Sequence, residues 1–322
     1  MKVLVAGAGG FIGGHLTQKL EEQGFDVVAV DIKSKEEWFI QPKNSDSNVA
    51  DLRLLDSATK YSKGVSWIFN LACDMGGMGF IENNKAKCME SVLINTHLLQ
   101  SARTNHVEKF FFSSSACVYA SFHQNSLNIA PLKETDAYPA DPEDGYGWEK
   151  LFSERMCRHF EEDYGIQTRV ARYHNVYGPF GTFQGGREKV PAAACRKIIN
   201  AVNEGNYEIE IWGDGKQLRS FTYIDDCIEG TLKLMNSNFS EPLNIGSSQM
   251  ISIEDLYKTI IAVKGLEENK FNFKYNLEAP QGVRGRSSDN EKCVEILKWE
   301  PSVSFSSGIE KTYDWIQKEI NS

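Results

Sequence analysis

A tyrosine and a lysine four residues apart, Tyr146 and Lys150, form the first pair whose types and spacing suggest catalysis. On a helix this separation places both side chains on one face. Tyrosine, with an ordinary pKa of about 10, is a poor base at neutral pH, but a nearby ammonium favours the phenolate. The alternative is that Tyr146 and Lys150 are merely an exposed pair on the surface of a helix, with no role in catalysis. The hydroxyls of Ser113–Ser115, which end an apolar run, favour catalysis because ligands of parallel sheets bind at strand ends.

A glycine-rich turn, Gly7-Ala-Gly-Gly-Phe-Ile-Gly13, joins an apolar run at 2–6 to a helical pattern at 12–23. Glycines let the backbone approach a pyrophosphate, and the helix N-terminus supplies free N–H groups. Asp31 follows Gly13 by 18 residues, near the spacing at which an acid binds the adenosine ribose. The acid favours NAD because it would repel the additional phosphate of NADP. The segment therefore predicts an NAD site, with a purely structural turn as the alternative.

The elements that must position these residues alternate between strand and helix. Predicted strands in the first half are 2–6, 26–31, 67–72, 109–115 and 168–173, and predicted helices are 12–23, 86–104 and 146–164. This alternation is typical of a doubly wound parallel sheet. Later predicted elements are helices at 190–204, 252–264 and 308–320 and a strand at 208–212. We therefore expect an α/β protein, a Rossmann-like sheet followed by a smaller mixed α/β substrate-binding part.

Composition and charge restrict the class of protein. Of 322 residues, 41% are hydrophobic and 25% are charged, which is typical of soluble globular proteins. A net charge of −9 without a basic block makes nucleic acid and anionic membranes poor candidate partners. No apolar run approaches the roughly 20 residues that span a bilayer. Seven cysteines without a CxxC pair indicate reduced thiols rather than a zinc or disulfide framework, so we expect a cytoplasmic protein.

The chain resembles, over its whole length, the extended short-chain dehydrogenase/reductases that act on nucleotide sugars. Besides the glycine turn, Asp31, the serines and Tyr146/Lys150, the matching segments are Asn70–Ala72, Arg172–Pro179, Arg219–Asp226 and Asn244–Gly246. The resemblance implies that NAD contacts Gly7, Gly10, Phe11, Ile12, Gly13, Asp31, Asp51, Leu52, Ala72, Tyr146 and Lys150. It also implies an NAD-binding domain at 1–175, to which about 216–248 return, and a mainly nucleotide-sugar-binding domain at 176–322.

Within that family the chain is most similar to the GDP-mannose 3,5-epimerases. The similar segments are Asp74–Phe80, Ser114–Tyr119, Gly185–Pro191, Trp212–Gly215 and Gly282–Arg286. This resemblance implies NAD as a tightly held, recycled cofactor, GDP-mannose as substrate and a homodimer. In the implied reaction, oxidation at carbon 4 makes the hydrogens of carbons 3 and 5 acidic, both centres invert, and return of the hydride gives GDP-L-galactose, with GDP-L-gulose as a 5-epimer product.

Such an inversion needs two acid/base groups on opposite sides of the sugar ring, for which we assign Cys117 and Lys189. Cys117 follows the serine strand, where related 4,6-dehydratases carry an Asp-Glu pair and this chain has Ala116-Cys117. A thiol with an ordinary pKa of about 8.5 and a lysine at about 10.4 both need tuning toward neutrality. A small buried filler is the alternative for Cys117. A solvated charge beside Arg187 and Glu188 is the alternative for Lys189.

The other substrate contacts are assigned by residue type. Ser115 is assigned to the carbon-4 hydroxyl, and Gly76 and Gly77 to close approach of the backbone to the hexose. The full predicted substrate set is Gly76, Gly77, Ser115, Ala116, Cys117, Tyr146, Asn175, Glu188, Lys189, Lys197, Gln217, Arg219 and Arg286. Arg284 is the alternative to Arg286 for the diphosphate. Trp212 and Phe183 are candidates for stacking on guanine, with a core position as the alternative, and no metal site is expected.

Two other functions remain open from the sequence. One is another NAD-dependent nucleotide-sugar enzyme such as a 4-epimerase, and the other is a non-catalytic NAD(H)-binding regulator on the same fold. The predicted homodimer would pair the helix near 90–104 and the helix from Tyr146 with their symmetry mates. Its expected apolar contacts are Val92, Leu93, Leu98 and Leu99.

Overall fold

Short runs rich in β-branched and aromatic residues form the strands of this computed structural model, which describes residues 1–322. In chain order they are β1 (Lys2–Ala6), β2 (Asp26–Asp31), β3 (Asp46–Val49), β4 (Trp67–Asn70), β5 (Lys109–Ser115), β6 (Gln167–Tyr173), β7 (Val176–Tyr177), β8 (Glu208–Trp212), β9 (Leu218–Ser220), β10 (Thr222–Tyr223), β11 (Leu243–Ile245), β12 (Met250–Ser252), β13 (Asn272–Asn276) and β14 (Gly285–Arg286). Seven of them form one sheet in the order β11-β6-β5-β4-β1-β2-β3, and every pairing in it is parallel. The predicted doubly wound sheet is confirmed.

The helices alternate with these strands and cover both faces of the sheet. They are α1 (Phe11–Glu22), α2 (Leu55–Tyr61), α3 (Met78–Asn83), α4 (Lys85–Met89), α5 (Ser91–Thr104), α6 (Asp144–Tyr164), α7 (Val190–Glu204), α8 (Ile224–Asn236), α9 (Ile253–Val263), α10 (Glu291–Leu297) and α11 (Phe305–Asn321). None of them combines the length and the apolar character that a membrane-spanning segment requires.

The period-two pattern of β1 divides the core into two layers. Val3 and Val5 pack on the face that α1 and α8 cover, and Leu4 and Ala6 pack on the opposite face, beneath α2, α5 and α6. Strands buried on both faces are apolar at every position, which is why the sequence shows them as continuous runs.

Several elements of the structure differ from the prediction or are missing from it, among them one divided helix, one edge strand and one further helix. The helix predicted at 86–104 is divided into α4 and α5 at Glu90. The edge strand β3 is missed because its sequence, DSNV, is polar and largely exposed. Helix α8 is also missed, although its buried Ile224, Cys227 and Thr231 recur at helical spacing and two acids occupy its first turn.

Beyond β6 the chain contributes strands to three smaller sheets and one further strand to the large sheet. The small sheets are β12-β9-β14, β13-β8 and β10-β7, and helices α7, α9 and α11 pack together beside them. Strand β11 pairs with β6, so the segment predicted to return at about 216–248 contributes a strand to the large sheet. The domain boundary near residue 175 stays a prediction.

The dimer contacts expected at Leu98 and Leu99 are wrong. Both side chains are fully buried against the sheet of their own chain, on the inner face of α5. Leu93, by contrast, is exposed, and Trp148 and Phe152 are exposed on the adjacent α6. The apolar stripe of α5 therefore stabilises the fold of one chain, and the exposed apolar positions lie on other sides of α5 and α6.

Candidate active site

A cavity of about 270 Å³ lies where the carboxyl ends of β5 and β6 meet the first turns of α3 and α7 and the small strands β9 and β14. Ligand sites of open parallel sheets occupy this edge. Its wall includes every residue that the sequence assigned to the substrate: Gly76, Gly77, Ser115, Ala116, Cys117, Tyr146, Asn175, Glu188, Lys189, Lys197, Gln217, Arg219 and Arg286.

Lys150 lies below this cavity as a fully buried ammonium group. Its Nζ is 3.7 Å from a carboxylate oxygen of Glu149 and makes no hydrogen bond. Although burial acts against the charge, the neighbouring Cys73 and Glu149 raise the pKa of Lys150. The ammonium therefore stays charged with unused donors, an arrangement that fits the hydroxyl acceptors of a ribose.

Tyr146, one helical turn before Lys150 on α6, lines the cavity and is buried. The Lys150 Nζ is 5.6 Å from the centre of its ring. Burial, followed by the charges of Cys73 and Cys117, raises the pKa of Tyr146 well above its ordinary value, so the phenol is neutral in the protein alone. That the ammonium favours the phenolate stays a prediction. A hydrogen bond with Ser115 acts in the opposite direction.

Cys117 is held at the end of β5 by a short 3-10 turn. Its N–H donates to the Ser115 hydroxyl at 3.2 Å, and its Sγ lies 3.6 Å from a guanidinium nitrogen of Arg286. Burial, followed by the negative charge of Glu143, raises the pKa of Cys117 to about 11, and Arg286 opposes this. In this structure the side chain is therefore a neutral thiol, able to give up a proton.

Lys189 occupies the position just before α7, at the N-terminus of that helix. Burial lowers the pKa of its ammonium group. Cys117 and Lys189 thus line one cavity with complementary tendencies, since the thiol holds its proton and the amine gives its proton up more easily than in water.

The loop that contains Gly76 and Gly77 contacts the loop of Arg187–Lys189, and this contact positions Lys189. The Gly77 N–H donates to the Arg187 carbonyl at 3.1 Å, and a Cβ at Gly77 would lie 2.5 Å from the Glu188 carbonyl oxygen. The sequence assigned Gly77 to close approach of the hexose. In the structure its close neighbour is the loop that carries Lys189, so a glycine is required by the contact between the two loops.

Arg187 completes this connection between the loops, a role that the sequence analysis missed. Its guanidinium lies 3.9 Å from the centre of the Phe80 ring and donates to the Met75 carbonyl at 3.2 Å and to Asp74 at 3.3 Å. The residues lie more than a hundred positions apart along the chain, so spacing gives no signal of their contact.

Two basic side chains of the cavity lining, Arg219 and Lys197, form no salt bridge. Burial, together with the charge of Arg286, lowers the pKa of Arg219 to about 10, and its guanidinium donates only to backbone carbonyls. Burial also lowers the pKa of Lys197. Arg284, by contrast, is fully engaged with both oxygens of Asp214 at 3.0 Å. An anionic ligand would therefore be held by Arg219 and Lys197. The assignment of the diphosphate to Arg286 is not favoured either, because its guanidinium is paired with Glu143 at 2.8 Å.

The glycine turn connects β1 to the N-terminus of α1. Gly7 has a left-handed φ of 86°, a Cβ at Gly13 would lie 2.0 Å from the Gly7 carbonyl oxygen, and no side chain caps α1. Asp31 ends β2 and accepts from the Gly9 and Lys33 N–H groups, both at 3.0 Å. A free helix N-terminus, an acid at the end of β2 and the unpartnered Lys150 fit a dinucleotide.

The remaining residues assigned to NAD surround this turn. Gly10, Phe11 and Ile12 form the start of α1, and Ala72 follows β4, where its N atom would be 2.8 Å from a Cβ at Gly7. Leu52 is buried, and the neighbouring carboxylate of Asp51 is paired with Arg53 at 2.9 Å, a contact that lowers the pKa of Asp51.

The two aromatic candidates for stacking on the base, Trp212 and Phe183, occupy different environments in the structure. Trp212 lines the cavity and is 44% exposed. Phe183 does not line it, because its ring is buried in the core against Phe39 and Trp315. The core alternative therefore holds for Phe183. No group of three or more His, Cys, Asp or Glu side chains is arranged to hold a metal ion.

Comparisons with known proteins identify the family of this chain. A model of the NAD dependent epimerase/dehydratase family matches residues 3–246. GDP-mannose 3,5-epimerase 1 of Oryza sativa subsp. japonica is 44% identical over 99% of this chain and 82% of that protein, and the GDP-mannose 3,5-epimerase of Arabidopsis thaliana is 43% identical over 99% and 83%. UDP-glucose 4-epimerase of Thermotoga maritima, solved with UDP-glucose, superposes with a TM-score of 0.88 at 26% identity, covering 99% of this chain and all of that one. The chain belongs to the NAD dependent epimerase/dehydratase family.

Proposed function

We propose that this protein inverts carbons 3 and 5 of GDP-mannose through a 4-keto intermediate, giving GDP-L-galactose, with GDP-L-gulose as the 5-epimer product. One observation carries the proposal: Tyr146, Cys117 and Lys189 line a single cavity. A redox step needs only the tyrosine, and the additional thiol and amine are the two groups that an inversion requires. The similarity to two GDP-mannose 3,5-epimerases over nearly the whole chain supports the choice of substrate.

The cofactor is NAD, as the family name states. When bound, NAD would supply the chemistry of reversible hydride transfer at carbon 4. The α1 N-terminus and Asp31 would hold its pyrophosphate and adenosine ribose, and the Lys150 ammonium would donate to its other ribose. Because the Asp31 carboxylate also accepts from the Gly9 N–H, it would both order the glycine turn and bind the ribose.

Tyr146 takes the proton of the carbon-4 hydroxyl, and Ser115 holds that hydroxyl in place. The phenol is neutral in the protein alone, since burial raises its pKa. The buried Lys150 ammonium stabilises the phenolate that forms during the reaction, because attraction between charges is strong where water is excluded.

Lys189 and Cys117 perform the inversion. The amine, whose pKa burial lowers, removes the acidic proton beside the ketone, and the neutral thiol donates a proton to the other face of the ring. Each inversion leaves the amine protonated and the thiol deprotonated. Both groups must then exchange protons with solvent, so hydrogen from water enters carbon 3 and carbon 5.

Arg219 and Lys197 bind the diphosphate. Both are cations that the protein leaves without a carboxylate partner, and a diphosphate supplies the missing negative charge. The free oxygen of the buried Gln217 amide and the exposed face of Trp212 lie in the same wall, where they would contact the sugar and the base.

The proposal includes a homodimer in the cytoplasm. Exposed apolar side chains on neighbouring helices, Met89, Leu93, Trp148 and Phe152, give a surface for a second copy. The seven cysteines are all free thiols, which suits a reducing compartment.

Incubation with GDP-mannose in deuterated water tests the proposed function. Recovered nucleotide sugar is expected to gain two deuterons by mass. Inversion at carbon 4 without deuterium would instead support a 4-epimerase. Tight NAD binding with no change in the sugar would support a non-catalytic regulator.

A further inference from the structure

Glu143 is an acidic residue of the cavity wall that the reaction described above does not use. It directly precedes α6 and lines the cavity beside Tyr146. Its backbone N–H donates to the Cys117 carbonyl at 2.9 Å, and its carboxylate accepts from Arg286 at 2.8 Å. The backbone of Glu143 therefore contacts the residue that carries the thiol, and its carboxylate contacts Arg286.

Arg286 connects Glu143 to the sulfur itself. Its three guanidinium nitrogens donate to three different groups, the Gln124 side-chain oxygen, the Cys117 Sγ at 3.6 Å and the Glu143 carboxylate. Only 5% of this arginine is exposed. A buried guanidinium with all of its nitrogens engaged has a fixed position, so the thiol has a cation at a set distance on one side.

We propose that Glu143 is a positioning residue, which fixes the Arg286 guanidinium against Cys117 and by its own negative charge favours the protonated form of that thiol. The proposal rests on the proposed function, in which Cys117 is the acid of the inversion. Glu143 does not itself touch the reacting carbons in this account. It acts through Arg286 and through its charge.

The charges that face Cys117 explain why a carboxylate is needed. Arg286, Arg219 and Lys189 are three basic groups whose charges act on the thiol, and Tyr146 is neutral. Nearby cations stabilise a thiolate. Glu143 is the carboxylate in this group, and its charge raises the pKa of Cys117, whereas Arg286 lowers it. Without Glu143, the thiol would face cations alone.

Alkylation of Cys117 by iodoacetamide, followed peptide by peptide with mass spectrometry, tests the proposal without depending on turnover. Only the thiolate reacts, so the rate at a pH below the pKa reports the thiolate fraction. Glu143→Gln keeps the shape of the side chain and an oxygen that accepts from Arg286, but it removes the charge. If the loss of this charge lowers the pKa of Cys117 by about one, the thiolate fraction at pH 8 rises about tenfold. Cys117 of Glu143→Gln should then react with iodoacetamide about tenfold faster than Cys117 of the wild type.

Two further variants separate a specific contact from a general change of charge or structure. Asp144→Asn removes a charge from the next residue, which pairs with Lys85 and not with Arg286, and its Cys117 should react at the wild-type rate. Glu143→Asp keeps the charge, so the alkylation rate of its Cys117 should stay within about threefold of the wild-type rate. This variant also keeps the test informative if Glu143→Gln folds poorly, because a large increase in the reactivity of Glu143→Asp would contradict a role for the charge.

Wild-type reactivity of Cys117 in Glu143→Gln, or an equal increase in Asp144→Asn, would overturn the proposal. Failure of the proposed function gives a different result. In that case GDP-mannose would not be converted, but the reactivity of Cys117 would still increase in Glu143→Gln.

Discussion

Cys117, Lys189 and Tyr146 divide the proposed reaction between two kinds of proton transfer. Tyr146 serves the oxidation at carbon 4, whereas the thiol and the amine serve carbons 3 and 5. Burial acts on all three groups in the direction that disfavours charge, which raises the pKa of the phenol and the thiol and lowers that of the amine. Variants of the three residues should therefore fail at different steps.

Tyr146→Phe is expected to block the first step. Without the phenolic oxygen, the proton of the carbon-4 hydroxyl has no acceptor. No ketone should therefore form, and the bound NAD should stay oxidised. No deuterium from solvent should enter the sugar. The measurement is the absorbance of reduced cofactor after mixing with GDP-mannose, and Tyr138→Phe, an exposed tyrosine, is the control. Formation of reduced cofactor at the wild-type rate by Tyr146→Phe would contradict the assignment.

Cys117→Ala should still oxidise carbon 4 but should lose inversion by about 100-fold or more, the size expected for a positioned acid. Lys189→Ala should lose proton transfer on the face of the sugar ring opposite Cys117. Cys88→Ala is the matched control, because Cys88 packs in the same small apolar cluster but does not line the cavity. If Cys117→Ala inverts the sugar like wild type, Cys117 is a core filler.

The two loops joined by Arg187 determine where Lys189 sits. Arg187→Ala removes the stacking on Phe80 and the hydrogen bonds to Met75 and Asp74. Loss of positioning should lower kcat by about tenfold or more and change KM less, since Arg187 makes no assigned contact with the substrate. Lys87→Ala is the control, because Lys87 is also near Asp74, at 3.8 Å, without joining the loops. An unchanged kcat in Arg187→Ala would show that the loops hold Lys189 without it.

The exposed side of α6 should form the subunit interface. Trp148 and Phe152 are four residues apart on α6, and both are about half exposed, at 48% and 55%. Light scattering at micromolar concentration should give twice the chain mass for wild type and one chain mass for Phe152→Glu. Phe122→Glu, at another exposed phenylalanine, should remain a dimer. A wild-type monomer would contradict this interface.

The sequence predicts the large sheet and the membership of the cavity wall because both depend on local signals. Buried parallel strands are apolar at every position, and their carboxyl ends meet at one edge. This places Ser115, at the end of β5, and Asn175, just after β6, on the wall of one cavity. Contacts between distant segments carry no such signal. Glu143 and Arg286 are 143 residues apart, and the burial that raises the pKa of Tyr146 depends on the whole fold. For the same reason the sequence could not place Phe183 in the core or separate Leu98 from Leu93.

Position-resolved deuterium labelling of wild-type product is the measurement that tests the account most directly. With GDP-mannose in deuterated water, NMR of the product should show deuterium at carbon 3 and carbon 5 and the original hydrogen at carbon 4. The hydride returns to carbon 4 from the cofactor, whereas the protons that enter carbons 3 and 5 come from the Cys117 thiol, which exchanges with solvent. Deuterium at carbon 4, or hydrogen at both carbons 3 and 5 of a converted sugar, would contradict the proposed reaction.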